Sequence, residues 1–218
     1  MPLLGFKTSM GLPFNAAEQF APGAWYLAGF VRNAAPELLQ AVALVTQSAP
    51  WRRMQTPGGR SMSVDMSNCG DLGWISDPRG YRYAAIDPLT NRAWPALPEP
   101  IRHWSLEAAR AAGFAHFVPD ACLINRYLPG ARMSLHQDKN EQDFNAPIVS
   151  ISLGLPATFL FGGLERQERP QRLPLSHGDV LVWGGPARLR FHGILPVAAG
   201  SQEPTGSARI NLTVRQAG

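Results

Sequence analysis

The sequence predicts a mainly β fold with flanking helices, and three observations carry that expectation. After residue 119 the chain breaks into short apolar runs punctuated by Gly and Pro: "ACLINRYLPG", "PIVSISLG", "ATFLFGG", "DVLVWGG", "LRFHGIL" and "ARINLTVRQ". That texture belongs to an antiparallel sandwich or barrel. Ahead of it, two segments carry apolar residues at helical spacing. At 218 residues, with no Ser/Gly-rich linker or charge block, the chain reads as a single domain over 1–218.

The first helix is expected over Ala34 to Gln47, "AAPELLQAVALVTQ", with Pro near its start. The second is "IRHWSLEAARAAG", preceded by Pro98 and Pro100 and stopped by Gly113. Between them, residues 51–98 are rich in Gly, Pro, Asn and Asp, with Arg52, Arg53, Arg60, Arg79, Arg82 and Arg92 interleaved among Trp51, Trp74, Tyr81, Tyr83 and Trp94. Exposed, such a mixture suits phosphate neutralisation and base stacking. Buried, it is a loop-rich sheet edge with core aromatics, and the segment itself does not decide between the two.

Composition narrows the function classes. The longest apolar run falls well short of a membrane span, and "MPLLGFKTSMGLPF" lacks a charged start followed by a continuous apolar stretch, so the expectation is a cytoplasmic, monomeric protein with no membrane partner. Cys69 and Cys122 have no metal-ligand spacing and read as free thiols. The net charge of +4 permits a polyanionic partner. Only Lys7 and Lys139 among the 20 basic residues are lysine, a bias that phosphate recognition and codon usage would both produce.

Chemistry first surfaces in "SLHQDKNE", Ser134 to Glu141. On a strand, His136 and Asp138 point to one face, and together they form two thirds of a 2-His-1-carboxylate triad for Fe(II). With 5 His and 16 Asp+Glu in the chain, one such pair is weak evidence. A second, His177-Gly178-Asp179, precedes the apolar run Val180 to Trp183 and reads as turn chemistry at a hairpin corner. In the last strand, Ala208, Ile210, Leu212 and Val214 alternate with Arg209, Asn211, Thr213 and Arg215. The polar face is either solvated, as in most surface strands, or aimed into a jelly-roll mouth. There, buried guanidiniums would need an anion such as a dicarboxylate, with Asn125 and Tyr127 of "LINRY" as neutral partners.

These pieces resemble a known family. The order His136-x-Asp138, His192 in "RLRFHGI", then Arg209 looks like the iron and 2-oxoglutarate dependent dioxygenases. "PDACLINRY", "SLHQDK", "PIVS", "SLGLPA", "FGGL", "HGDV" and "NLT" with "RQAG" are similar, more narrowly, to the AlkB family of nucleic-acid demethylases. "TPGG", "MSNCG" and "IDP" extend the similarity from about residue 50 to the end, and the first 30 or so residues fall outside it.

The resemblance implies a double-stranded β-helix (jelly roll) core over about residues 119–218, with a nucleotide-recognition lid over about 51–98. It implies His136, Asp138 and His192 as iron ligands. Arg209 would clamp the distal carboxylate of 2-oxoglutarate with help from Asn125, Tyr127 and Asn211, and Arg215 would stand near the iron-bound end of the cosubstrate. Thr56, Met62, Trp74, Tyr81, Ser134, Lys139, Asn140 and Arg166 would contact substrate. The implied cofactors are Fe(II), 2-oxoglutarate and O₂. The implied partner is alkylated DNA, single- or double-stranded, or RNA, from which an N-methyl group leaves as formaldehyde while the keto acid yields succinate and CO₂. The target base must leave the stack, and Trp74 and the His136 ring are expected to sandwich it. RNA or protein demethylation by the same chemistry, and a non-catalytic nucleic-acid-binding iron and 2-oxoglutarate sensor, are the alternatives. One position departs from the family pattern: Asn140 stands where an acidic residue is usual after "HQDK".

Overall fold

The computed structural model describes residues 17–218, so the N-terminal stretch read above as carrying no targeting signal lies outside the described residues. The chain runs β1 (Glu18–Ala21), β2 (Ala24–Leu27), α1 (Ala35–Ser48), β3 (Asp65–Gly70), β4 (Gly73–Asp77), β5 (Gly80–Ala84), β6 (Ile86–Asp87), β7 (Arg92–Ala93) and α2 (Glu99–Ala111). It continues through β8 (Ala121–Tyr127), β9 (Met133–His136), β10 (Ile148–Gly154), β11 (Ala157–Phe161), β12 (Gln171–Leu175), β13 (Val180–Trp183), β14 (His192–Ile194) and β15 (Arg209–Arg215). Both expected helices and every expected C-terminal strand are present. The short strands β1, β2 and β12 were not foreseen.

Two antiparallel sheets build the jelly-roll core. The larger has the order β1-β2-β13-β10-β15-β8-β3 and the smaller β12-β11-β14-β9. Met66, Tyr127, Ile148, Phe159, Phe161, Trp183 and Ile194 fill the space between them. The helices cover the other face of the large sheet, where Leu38, Val42 and Val45 of α1 and Ile101 and Ala108 of α2 join Ile124, Val149, Ile151, Leu212 and Val214 in one cluster.

That double cover settles which way the last strand faces. An antiparallel sheet commonly leaves one face to water, but here β10, β13 and β15 are buried at every residue. Each Val, Leu or Ile under the helices contributes roughly 1.5 to 3 kcal/mol by burial. The apolar side of β15 therefore belongs to the helices, and Arg209, Asn211, Thr213 and Arg215 turn in between the sheets. Of the two readings of this strand, the inward one holds.

The 51–98 segment is less uniform than a lid. Its strand β3 is wholly buried and pairs with β8 from Asp65 opposite Arg126 to Gly70 opposite Ala121, forming an edge of the large sheet. The part that stands apart is the β4–β5 hairpin, and the Asn68 side chain clasps it to β3 by accepting from Trp74 N and donating to Trp74 O, both at 3.0 Å. Several of the segment's arginines are engaged internally: Arg52 with Asp87, Arg53 with Asp65, and Arg79 and Arg82 with Asp77. Trp94 is buried, with Arg52 over its ring. Much of this basic and aromatic texture is thus structural. Cys69 and Cys122 are free, buried thiols facing each other across β3 and β8.

Candidate metal centre and cosubstrate pocket

The small sheet brings two histidines together. His192 on β14 pairs directly with His136 on β9, and a bulge follows at Gly193. A Cβ at Gly193 would lie 2.6 Å from Met133 O, so only glycine lets the strands approach this closely. Strand β9 ends at His136, so strand alternation does not extend to Asp138. The Arg215 guanidinium turns that carboxylate inward, donating from Nε at 2.9 Å and also from Nη2. The Asp138 carboxylate lies 3.7 Å from each Nε2, of His136 and of His192, and one ligand atom from each residue falls within 4.8 Å of the others.

Each ring is oriented for this duty. His136 Nδ1 lies 2.9 Å from Ser134 O and His192 Nδ1 lies 3.0 Å from Arg190 O, carbonyls that hold the Nδ1–H tautomer and leave Nε2 free as a ligand. Burial and the neighbouring His136 hold His192 down at about 3, against the pull of Asp138. Burial alone would push Asp138 up, but Arg215 and the two imidazoles hold it well below the usual carboxylate range. A neutral imidazole and an ionised carboxylate at neutral pH are the forms a divalent cation requires.

This charge pattern has a consequence for the metal-free protein. Below the ordinary histidine value of 6.5, the unfolded chain takes up a proton that folded His192 refuses until about 3. Stability is therefore lost as pH falls through that window, by up to about 1.4 kcal/mol per pH unit. Urea unfolding of chelated protein at pH 7 and pH 5 should show the loss, and His192→Gln should reduce it. Equal pH dependence in both proteins would mean that the fold accepts the proton.

Beside the triad lies a cation with no carboxylate partner among the described residues. Arg209 is 1 % exposed and its guanidinium sits 5.1 Å from the centre of the Tyr127 ring. Nη2 donates to Ser152 Oγ at 3.0 Å, while Nε and Nη1 are buried with no acceptor among the described residues. Burial depresses its charged form, with no carboxylate opposing, and burial likewise pushes the Tyr127 phenol up to about 12. An uncompensated buried guanidinium is costly unless an anion accepts its hydrogen bonds. The structure thus fits a carboxylate bound between the sheets. Asn125 and Asn211, both buried, face each other across β8 and β15 close by, joined at 3.4 Å.

The second His-x-Asp pair is structural. Asp179 accepts from Tyr26 Oη, Gly29 N and Ser176 N, and His177 Nδ1 accepts from Gly154 N. A glycine is needed between them, because Gly178 has φ +88° and packs on the Arg32 backbone.

Around the mouth, the Trp74 ring stacks on Tyr81 with centroids 5.6 Å apart, so Tyr81 occupies one face of that ring. Asn140 lies beneath the pair, accepting from Trp74 Nε1 and donating to Tyr81 O, both at 3.4 Å. Ser134 and Lys139 are exposed. Arg166, also exposed, lies 5.8 Å from the centre of the Phe191 ring, one residue before His192. Thr56 closes a turn with Gly59 and Arg60, and half-buried Met62 packs against the core. A cavity of about 380 Å³ lined by Leu160, Arg169, Pro170, Arg172 and Leu195 contains none of these residues.

Sequence reasoning missed Glu141, Arg188 and Tyr83. Glu141 is 6 % exposed, between Arg215 (Nε to Oε1, 3.3 Å) and Arg188 (Nη2 to Oε2, 3.2 Å). Nothing in the polar run "DKNEQD" distinguishes this carboxylate from a solvated one.

Comparison with known proteins extends the similarity nearly to the N-terminus. The profile of the 2OG-Fe(II) oxygenase superfamily matches residues 23–215. The alpha-ketoglutarate-dependent dioxygenase AlkB of Salmonella typhimurium is 56 % identical over 200 residues, 92 % of this chain and 93 % of that protein. A tRNA demethylase of Schizosaccharomyces pombe is 28 % identical, over 76 % of this chain and 63 % of its own. The solved structure of OsALKBH1 superposes with a TM-score of 0.78 at 26 % identity, covering 92 % of this chain and 99 % of that one.

Proposed function

Because this chain belongs to the AlkB family of the 2OG-Fe(II) oxygenase superfamily, we propose that it demethylates N-alkylated bases in nucleic acid, reversing damage such as 1-methyladenine and 3-methylcytosine in DNA. It is a dioxygenase that uses Fe(II), 2-oxoglutarate and O₂. The observation that carries the proposal is the pairing of a three-ligand cluster with a buried, anion-seeking Arg209 between the same two sheets.

His136, Asp138 and His192 would hold the iron, a 2-His-1-carboxylate set suited to Fe(II) oxygen chemistry. Arg209 receives the distal carboxylate of 2-oxoglutarate, with Tyr127, Asn125 and Asn211 shaping the site. Arg215 keeps Asp138 ionised and oriented. When bound, iron with 2-oxoglutarate and O₂ supplies the oxidation that hydroxylates an N-methyl group, whose hemiaminal then releases formaldehyde, succinate and CO₂ being the other products. The chain's part is to orient and enclose. The β4–β5 hairpin offers the half-buried Trp74 ring, on the side away from Tyr81, to a flipped base, and the half-buried Thr56 and Met62 flank the approach. Ser134, Lys139 and Arg166 stand exposed to meet phosphates. Within residues 51–98 the β4–β5 hairpin acts as lid, and 119–218 form the catalytic core of one domain, in a cytoplasmic monomer. No helix among the described residues is long and apolar enough to cross a membrane.

RNA is the second substrate reading, favoured by the similarity to a tRNA demethylase. Formaldehyde release from 1-methyladenine and 3-methylcytosine oligonucleotides, in DNA and RNA and with and without 2-oxoglutarate, tests both. Release from methylated peptides alone, or binding without release, would overturn the proposal.

Asn140 bears on lesion choice. Its amide brings no charge to a cationic base, whereas a carboxylate there would attract one. The natural chain should therefore prefer 1-methyladenine and 3-methylcytosine over the neutral 3-methylthymine and 1-methylguanine less strongly than Asn140→Asp does. The kcat/KM ratios on matched oligonucleotides check this, and an unchanged ratio would leave Asn140 only its contacts with Trp74 and Tyr81.

A further inference from the structure

A continuous chain of buried polar contacts leads from the hairpin to the metal centre. Tyr83 on β5 donates from Oη to Glu141 Oε1 at 2.8 Å. Glu141 Oε1 lies 3.3 Å from Arg215 Nε, and the same nitrogen donates to Asp138 Oδ2 at 2.9 Å. Arg188 braces the chain from behind, with Nη2 3.2 Å from Glu141 Oε2 and Nη1 donating to the Asp138 carbonyl at 2.8 Å. Its Nε donates to Ala146 O at 3.1 Å. The side chains of Glu141, Arg188 and Arg215 are at most 6 % exposed.

Stability alone does not call for this arrangement. Four buried charges, two of each sign, cost desolvation that apolar residues of similar volume would avoid. What the chain does fix is the direction of one carboxylate. Arg215 can hold Asp138 in a single orientation only if its own plane is set, and Glu141 helps to set it by lying 3.3 Å from the same nitrogen, Nε, that donates to Asp138. Glu141 in turn is held by Arg188 and by a hydroxyl that belongs to the hairpin.

We propose that Glu141 and Tyr83 are positioning residues for the metal ligand Asp138: acting through Arg215, they tie the β4–β5 hairpin to the metal centre, so that metal binding and hairpin order strengthen each other. This rests on Asp138 being a metal ligand. Coupling of this kind is reciprocal, so each partner must report the other.

The test uses the full chain and Co(II) alone as probe, titrated anaerobically by visible absorption, together with amide exchange of the hairpin (residues 73–84) with and without metal. Loss of a group that hydrogen-bonds to a metal ligand typically changes affinity by about 10- to 100-fold. Glu141→Gln should weaken Co(II) binding by about 10-fold, and Tyr83→Phe, one contact further out, by about 3-fold. Metal should slow hairpin exchange in the natural chain and fail to do so in Tyr83→Phe. Arg82→Gln breaks the hairpin's own ion pair with Asp77 and touches no member of the chain, so it should leave Co(II) affinity unchanged. Equal weakening in Arg82→Gln would overturn the inference, since general loosening of the hairpin would then suffice. So would equal metal-induced protection in Tyr83→Phe, or no protection in the natural chain, a result that needs no variant to fold. Failure of the natural chain to bind Co(II) at all would instead remove the metal assignment beneath it.

Discussion

Replacing Asp138 by alanine is expected to abolish turnover and to weaken divalent metal binding beyond detection, because it removes the only anionic ligand of the three. The loss reaches further than the metal. Arg215 would keep Glu141 but lose the carboxylate that it grips with both Nε and Nη2, and breaking a buried pair costs about 3 to 5 kcal/mol. Asp138→Asn, which keeps an acceptor for Arg215, should restore much of the stability and none of the formaldehyde release. Asp179→Ala provides the contrast. It frees three donors, Tyr26 Oη, Gly29 N and Ser176 N, and should lower the unfolding midpoint while the folded protein still binds metal. If Asp179→Ala lost the metal in a folded chain and Asp138→Ala kept it, the wrong His-x-Asp pair would have been assigned.

The second large effect belongs to Arg209. Arg209→Ala should weaken 2-oxoglutarate by roughly 3 to 5 kcal/mol, which is a hundredfold to a few thousandfold in Kd. Lysine should recover little, because a point charge cannot match a planar fork. Anaerobic calorimetric titration of 2-oxoglutarate into metal-loaded protein measures this. Unchanged affinity in Arg209→Ala would end the assignment and leave the two unpaired nitrogens unexplained.

The parts of this site legible in the sequence are those built from local pattern. His136 and Asp138 sit two residues apart, and β15 shows its alternation without help, so both declared themselves as candidates. Which way β15 faces was not legible, because that depends on α1 and α2 covering its apolar side, a contact between segments more than 100 residues apart. The choice between His136-x-Asp138 and His177-x-Asp179 rested on turn chemistry at Gly178, and the φ of +88° there agrees. Glu141 was invisible for a different reason. A carboxylate two residues after a lysine reads as solvated, and only the tertiary arrangement of Arg188, Arg215 and Tyr83 makes it a buried anion. The lid was overdrawn because β3 lacks alternation: "DMSNCG" has polar residues on both sides, yet every one of them is buried.

The central position of β15 in the large sheet, between β10 and β8, also sets the order in which this protein can be made. Every other described strand leaves the ribosome before β15 does, and until then β8 and β10 each present an open edge to whatever strand is nearby. A nascent chain in that condition has both histidines and Asp138 but neither Arg209 nor Arg215. It has no cation to hold the carboxylate inward and no closed sheet to exclude water. Open edges invite pairing with the wrong chain, and contacts of such long sequence separation form late. Loss of the chain from residue 209 onward should therefore yield aggregated polypeptide and no weakly active enzyme, and expression of nested truncations through β15 would show solubility and metal binding arriving together.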